Sequence, residues 1–392
     1  MHEPEIVLMK STIPSQFLGK RAADWLIAHP WIILVVWSYG VAAAHLPFHG
    51  VSWHYFVTAV HSSFSSHPLS IFALHPELQM GPLTFVVTAP FVLIIPGAAG
   101  QFAAMSFMVA IGLLAVREIR LIAADRLDQR SWLVSSLLIM AVWTELAIYW
   151  GHLDDAFALY FGLLGLRLIR TGHPFGAAVA LALSVDFKPW TAPLVALLLL
   201  APPRRWIPLG AVWIALVAIV WLPFFFGDPS TAAALHFGIK VDPASTLHLF
   251  GVRDSTTPPW VREAQIFGGF AIAALAIWRR RWASVFLIVI AVRLLLDPGT
   301  KNYYDAGLLV GAGVLDVALS RIRVPVASII AFTLVYLPSH LLQHDPPVRG
   351  VIRTVALLAL IGIALVWPSR RQDPLDPDLR EAPSPSARGA VT

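Results

Sequence analysis

Long apolar segments separated by short arginine-containing loops constrain this sequence more than any other feature. Hydrophobic residues make up 57% of its 392 residues and charged residues only 13%, too few to cover the surface of a soluble protein of this length. Backbone groups in lipid must be hydrogen-bonded within their own segment, so repeated apolar runs of about 20 residues are typical of membrane-spanning helices. The sequence therefore predicts an all-α, polytopic membrane protein.

The arginines orient the predicted helices. Arginine clusters follow alternate spans, and the positive-inside rule places such loops in the cytoplasm. About twelve spans result, in a multi-pass protein of the plasma membrane with both termini cytoplasmic. The transmembrane domain is predicted at 25–367, between a cytoplasmic N-terminal segment at 1–24 and a disordered cytoplasmic tail at 368–392. The net charge of +5 is spread through short loops and does not indicate nucleic-acid binding.

Two long external loops interrupt the pattern, at 46–97 and at 227–264. The first is rich in histidine and aromatic residues and is too polar to span. Its last apolar run, 83–95, is short and is flanked by Pro82 and Pro96. If this run crossed the membrane, the arginine-rich end of the next span would face outside, against the positive-inside rule. We therefore interpret it as an interfacial helix of the external loop, in contact with membrane lipids.

Ionisable residues at the predicted outer helix ends are the first candidates for chemistry. The chain has five lysines, and Lys188 and Lys301 lie outside at helix ends, against the positive-inside trend. Each of them, like Arg293, either pairs with an aspartate or captures an anion such as a lipid phosphate. The aspartates within sequence reach are Asp186, Asp297 and Asp305. The acid pair Asp154 and Asp155 either caps the next helix or acts chemically.

Metal and cofactor signals are weak in this sequence. No HExxH motif occurs, and the external histidines lack a helical pair with a third ligand, so no metal site is predicted. No cofactor is required, and a divalent cation stays open as an alternative. Glu145 is a functional candidate because it lies within a predicted span. No P-loop, dinucleotide-binding glycine motif or GxSxG is present, which argues against an ATP-driven pump or a serine hydrolase.

Several short polar motifs share the predicted outer side of the membrane. In chain order they are SWHYF (52–56), HPELQMGPL (75–83), GHLDD (151–155), DFKPW (186–190) and DPGTKNYYD (297–305). Over about residues 25–310, their order and placement resemble the GT-C superfamily of polyprenyl-phosphate-sugar-dependent glycosyltransferases. Within it, they are most similar to glycosyltransferase family 87, of the mannosyltransferase type.

The resemblance implies a GT-C-like fold and an integral-membrane hexosyltransferase of the cell envelope. Its donor would be a polyprenyl-phosphate sugar, with mannose the first expectation and another hexose or a pentose the alternatives. Its acceptor would be an extracytoplasmic glycolipid or glycan. A base in the first external loop would deprotonate an acceptor hydroxyl, which displaces polyprenyl phosphate with inversion at an active site facing outside.

One position departs from the family pattern. The first-loop motif of the family normally begins with an aspartate, and this chain has Ser52, which needs a partner base to accept a proton. The predicted catalytic residues are Asp154, Asp155, Glu77 and His54. The predicted substrate-binding residues are Ser52, Trp53, Tyr55, His75, Gln79, His152, Lys188, Arg293, Lys301, Tyr303 and Tyr304.

Two other functions are compatible with the same sequence. A transporter or flippase of a lipid-linked sugar would also have short helices and intramembrane charges, but it should show repeats between its halves, and none is evident. A catalytically inactive GT-C relative would explain Ser52. The concentration of polar motifs on one side of the membrane favours the transferase.

Overall fold

All regular elements in the described part of the chain are helical. The computed structural model describes residues 28–95, 97–123, 127–319 and 324–366, and no strand occurs within these ranges. The predicted all-α class is therefore confirmed. The segments predicted to be cytoplasmic, 1–24 and 368–392, lie outside the described residues.

The N-terminal part of the fold holds the first predicted span, the segment predicted to be the first external loop, which keeps that name below, and four long helices. The helices are α1 (Pro30–His45), α2 (Trp53–Ser63), α3 (Ile71–Leu74), α4 (Leu83–Ala89), α5 (Gly97–Ala123), α6 (Gln129–Thr144), α7 (Leu153–Arg170) and α8 (Pro174–Phe187). A 3₁₀ turn, Pro68–Ser70, precedes α3. π-Helical segments extend α4 over Pro90–Ile94 and α6 over Glu145–Trp150.

The C-terminal part begins with a 3₁₀ helix over Pro189–Leu200. The helices that follow are α9 (Trp206–Gly227), α10 (Thr231–Ala234), α11 (Thr246–Leu249), α12 (Trp260–Trp278), α13 (Val285–Leu295), α14 (Tyr304–Leu319), α15 (Val326–Ile330), α16 (Leu337–Leu341) and α17 (Pro346–Val366). Single 3₁₀ turns, Pro203–Arg205 and Trp282–Ser284, lead into α9 and α13. A third π-helical segment, Ala331–Tyr336, joins α15 to α16.

Membrane-spanning length is met by five helices among the described residues. They are α5, α6 with its π segment, α9 with its 3₁₀ turn, α12 and α17. Six further apolar helices have 10–17 residues, which at about 1.5 Å per residue is less than a full crossing of about 30 Å. The prediction of a multi-pass helical membrane protein is confirmed, and several of the shorter helices are largely buried. One of them, α13, is buried along nearly its whole length.

Polar contacts between segments distant in sequence occur at two opposite ends of the bundle. At one end, the amide of Gly81 in the first external loop donates to the carbonyl of Phe187 at 2.8 Å. At the other end, Arg167 near the end of α7 pairs with Glu118 of α5. Helix α7 has 18 residues and is therefore about 27 Å long, which separates the two groups. Segments predicted to share a side of the membrane thus contact one another.

The first external loop is anchored on the end of α8. A Cβ atom at Gly81 would lie 1.9 Å from the carbonyl oxygen of Asp186, so the close approach requires glycine. The apolar run that follows forms α4, of seven residues, and a π segment of five residues. Together they measure about 18 Å, too short for a full crossing.

The separation of the two ends can be tested by cysteine labelling, because the chain contains no cysteine. Ser65, in the first external loop, and Thr171, after α7, are both exposed. We expect Ser65→Cys and Thr171→Cys to react with a membrane-impermeant maleimide from opposite sides of the membrane. Labelling of both from the same side of sealed vesicles would contradict the fold.

Candidate active site

Three backbone hydrogen bonds hold the first external loop against the end of α6. The donors are the amides of Gly50, Val51 and Ser52, and the acceptors are the carbonyls of Ile148, Tyr149 and Trp150, at 2.9, 2.9 and 3.0 Å. These carbonyls are available because the helix ends there. Gly50 has a φ of +67°, a left-handed conformation that favours glycine, and a Cβ atom on it would have to displace the side chain of Gln101. We call this contact the loop clamp.

The loop clamp brings Ser52 to His152, 100 residues later in the chain. The Nε2 atom of His152 lies 3.1 Å from the Oγ atom of Ser52. On the other side of the ring, Nδ1 lies 3.2 Å from Asp154 Oδ1 and 3.4 Å from Asp155 Oδ2. His152 is the N-cap residue of α7, so the two acids occupy the first turn of the helix, where its dipole favours negative charge. A serine, a histidine and two carboxylates therefore form one buried chain of polar contacts.

Lys188 compensates the charge of the two acids. Its ammonium group bonds Asp154 and lies 3.5 Å from Asp155 Oδ2. The backbone of Lys188 is extended (φ −149°, ψ 107°) where α8 ends, and the chain turns there into the 3₁₀ helix. Two residues on, the indole Nε1 of Trp190 donates to Asp155 Oδ1 at 3.0 Å. The DFKPW segment thus contacts both acids from the end of α8.

Arg293 supplies a second buried cation beside the first. Its guanidinium lies 4.5 Å from the ring centre of Trp190 and 4.2 Å from that of Tyr304. One turn further along, Asp297 Oδ2 is 3.5 Å from Arg293 Nη2. The Nε atom of Arg293 is buried and has no hydrogen-bond partner among the described residues. Tyr303 stacks on the His152 ring at a centroid distance of 3.9 Å and completes the group.

The acid pair raises the pKa of both neighbouring basic side chains, His152 and Lys188. Burial lowers the pKa of His152, but the hydrogen bonds and negative charge of Asp154 and Asp155 outweigh burial and raise that pKa above its ordinary value. Burial also lowers the pKa of Lys188, and the same two carboxylates more than offset it, so that pKa is raised as well. Lys188 is therefore a cation at neutral pH although it is buried.

A metal ion does not fit this site as the side chains stand. One ligand atom from each of His152, Asp154 and Asp155 lies within 4.8 Å of the others, a spacing that a cation could bridge. However, the ammonium of Lys188 already contacts both carboxylates and supplies the positive charge that a metal would bring. We assign no metal to the site and derive no step through one.

Several residues predicted from the sequence lie apart from this cluster. His54 directs Nδ1 to the carbonyl oxygen of Val51 at 3.1 Å and packs against Tyr55, which is exposed. His75 and Glu77 form a separate pair at 3.2 Å, with about a third of each side chain exposed. The structure brings neither His54 nor Glu77 to the buried cations.

Three further predicted residues border the site or stand outside it. Trp53 is buried, stacks on Phe56, and lies against the turn at Gly151. Lys301 is exposed, with its ammonium 5.7 Å from the ring centre of Trp150. Gln79 is half-buried, and its backbone amide donates to the carbonyl of Glu77 at 2.9 Å. No contact joins these three side chains to Lys188 or Arg293 among the described residues.

A second polar group lies nearby and was not predicted as a unit. Glu145 accepts hydrogen bonds from the hydroxyl of Tyr336 at 2.7 Å and from the amide of Asn302 at 3.4 Å, and His340 Nε2 lies 3.1 Å away. The sequence marked Glu145 as an acid inside a span, but its partners come from distant segments. Trp190 was also missed as a site residue, although it belongs to the DFKPW motif.

Comparison with known proteins gives one structural similarity. No family model matches this chain, and no curated protein matches it. The fold is similar to the crystal structure of ArnT from Cupriavidus metallidurans bound to undecaprenyl phosphate, with a TM-score of 0.39 and 13% sequence identity. The similarity covers 86% of this chain and 77% of that one. A likeness at this level transfers neither activity nor ligand, so the function is argued from the residues of the site.

The role of Lys188 in stability can be measured directly. Lys188→Met leaves two buried carboxylates without their cation, and breaking a buried ion pair in this way costs about 3–5 kcal/mol. We expect a clear fall in the thermal unfolding temperature in detergent, and a partial recovery when Asp154→Asn removes one of the charges. Lys240→Met, at an exposed lysine of the second external loop, serves as the control. Equal stability of the Lys188 and Lys240 variants would contradict the ion pair.

Proposed function

We propose that this protein is a membrane glycosyltransferase that moves a sugar from a polyprenyl-phosphate donor to an extracytoplasmic acceptor. The observation that carries the proposal is the pairing of two buried cations, Lys188 and Arg293, with a buried histidine and acid pair at one end of the bundle. Buried charged groups are costly unless they are paired, and in a membrane protein they are usually retained for function. Transfer of the sugar needs a group that takes a proton from the acceptor and, beside it, cations that stabilise the anionic leaving group.

The cations suit the departing phosphate. When the bond between the sugar and the phosphate breaks, negative charge develops on the leaving oxygen. Lys188 and Arg293 are already in place and charged, and in a site that excludes water such groups stabilise developing charge more than they would in bulk solvent. Arg293 is braced by the rings of Trp190 and Tyr304 and has an unused Nε–H donor for a phosphate oxygen.

The surroundings of the cations offer surfaces for the rest of the donor. Trp150 and Trp190 are half-buried beside the polar cluster, and flat indole rings pack well on the apolar face of a sugar. The 3₁₀ helix Pro189–Leu200 leads away from the cations, and its partly exposed Val195 and Leu199 present apolar surface for an isoprenoid tail. Mannose is the first sugar to test, since the motif resemblance points to a mannosyltransferase; another hexose or a pentose comes next.

The proposed orientation places the active site outside the cytoplasm. The end of the bundle that carries His152 and Lys188 is the one opposite the arginine-rich loops, which the positive-inside rule assigns to the cytoplasm. The acceptor, a glycolipid or glycan of the cell envelope, would therefore enter from outside. In the labelling experiment above, the cysteine at position 65 should be the one that reacts in intact cells.

The transfer can be tested with the purified full-length chain. We expect labelled polyprenyl-phosphate mannose and an envelope glycolipid acceptor to yield free polyprenyl phosphate. Arg293→Met should reduce the rate by about 10²–10³-fold, as expected for the loss of one donor to a developing negative charge. Arg130→Met, at an exposed arginine beginning α6 at the opposite end, is the matched control and should keep the wild-type rate.

Two results would contradict the proposal. In the first, polyprenyl phosphate raises the unfolding temperature of the protein, but no sugar is transferred from any polyprenyl-phosphate donor. The site would then bind the lipid without catalysing a transfer. If Arg293→Met and Arg130→Met behave alike, the buried cation does not act on the leaving group.

A further inference from the structure

The transfer needs a base for the acceptor hydroxyl, and the carboxylates of the cluster are poorly placed to be that base. Asp154 is fully buried; its Oδ1 atom accepts the amide of Asp155 at 2.9 Å and faces His152, and its Oδ2 atom holds Lys188. The Oδ1 atom of Asp155 accepts the indole N–H of Trp190, and its Oδ2 atom faces His152 and Lys188. Asp155 Oδ2 has no hydrogen-bond partner among the described residues, but it is buried between His152 Nδ1 at 3.4 Å and Lys188 Nζ at 3.5 Å, so it is turned toward the protein and away from an incoming acceptor.

We propose that His152 is the general base and that the hydroxyl of Ser52 passes the proton to it. This inference rests on the proposed function and names the groups that perform its proton transfer. The base therefore lies at the N-cap of α7 and not in the first external loop, where the motif resemblance places a carboxylate.

The tautomer of His152 follows from its neighbours. An ionised carboxylate only accepts hydrogen bonds, so Nδ1, which faces both Asp154 and Asp155, carries the proton of the neutral ring. Nε2 is then left with a free lone pair, and the Ser52 hydroxyl 3.1 Å away donates to it. The stacked ring of Tyr303 and the edge-on ring of Phe56 at 6.0 Å hold the imidazole in this orientation. The order serine, histidine, carboxylate is the arrangement that activates hydroxyl groups in many enzymes.

Ser52 is placed to act as an intermediary. It is the N-cap residue of α2, yet its side chain makes no capping hydrogen bond and is directed to His152 instead. Its neighbours Val51 and Tyr55 are 46% and 37% exposed, so Ser52 lies directly beneath the surface of the external loop. The loop clamp fixes its backbone, which holds the hydroxyl on the loop side of His152.

The proposed step conserves atoms and charge. The acceptor hydroxyl gives its proton to Ser52 Oγ while the Ser52 proton moves to His152 Nε2. The acceptor oxygen forms a bond to the anomeric carbon, and the bond from that carbon to the phosphate oxygen breaks, with its electron pair remaining on polyprenyl phosphate. The imidazolium that results is stabilised by Asp154 and Asp155, and its proton returns to solvent after product release.

The proposal predicts how the rate depends on pH. The charged groups that face His152 or its partners are Asp154 and Asp155 from α7, Lys188 from the end of α8 and Arg293 from α13, and the neutral groups are Ser52 and Tyr303. The acid pair raises the pKa of His152, and only the neutral ring can accept a proton. The rate of transfer should therefore fall as the pH drops through this raised pKa, and it should be full above it.

The test compares His152→Gln, Ser52→Ala and the double variant Ser52→Asp/His152→Gln in the transfer assay across pH. Removal of a general base costs about 10²–10⁴-fold, so we expect each single variant to lose at least about 100-fold in kcat. The double variant carries a carboxylate base at position 52, so its kcat should be at least tenfold higher than that of His152→Gln. The acidic limb of its pH–rate profile should move to the pH range in which carboxylates titrate. His173→Gln, before α8 at the opposite end, is the control and should match the wild type.

Donor binding separates a chemical role from a structural one. Stabilisation of each variant by polyprenyl phosphate should equal that of the wild type, because Lys188 and Arg293 are retained. The proposal is overturned if His152→Gln keeps the wild-type rate and acidic limb, or if Ser52→Ala keeps the full kcat. Either result leaves the transferase function standing. A wild-type chain that transfers no sugar overturns the function and this inference with it.

Discussion

The ion pair between Lys188 and Asp154 is the interaction on which the candidate active site depends. It joins the first turn of α7 to the end of α8 in a region from which water is largely excluded. Each charge stabilises the other in its charged form, because an isolated buried ion would be neutralised by a shift in its pKa. With Asp154 held in this way, His152 has a fixed acceptor on one side of its ring. Trp190 and Arg293 then pack around the pair.

Much of the fold could be predicted from the sequence, because the governing signals are local. Apolar length identifies the spans, and the arginines alternate between loops, so helices are found where the sequence places them. The pairing of charges was harder to predict. The sequence offers Asp186, Asp297 and Asp305 as partners of Lys188, with capture of an anion as the alternative, and in the structure its partners are Asp154 and Asp155. Residues two apart on a helix do not face each other, whereas the adjoining ends of antiparallel helices meet.

The contact between Ser52 and His152 could not be predicted by such reasoning. The two residues are 100 positions apart, and the loop clamp that joins them consists of backbone groups that carry no side-chain signature. The same holds for Glu145, which the sequence marks as an acid within a span. Its partners Tyr336 and His340 come from the far end of the chain, and a π-helical segment supplies one of them. Short motifs locate such sites to within a segment, and tertiary packing decides which atoms meet.

The π-helical segment Glu145–Trp150 has a consequence for how the length of this chain can change. The wider turn at the end of α6 decides in which direction the following residues point, including the turn that carries His152. A π turn holds about one residue more than an α turn, so the wide turn absorbs one additional residue without changing the direction in which the Trp150 carbonyl and His152 point. The π segment is therefore the part of α6 that could lose one residue while the loop clamp stays in place.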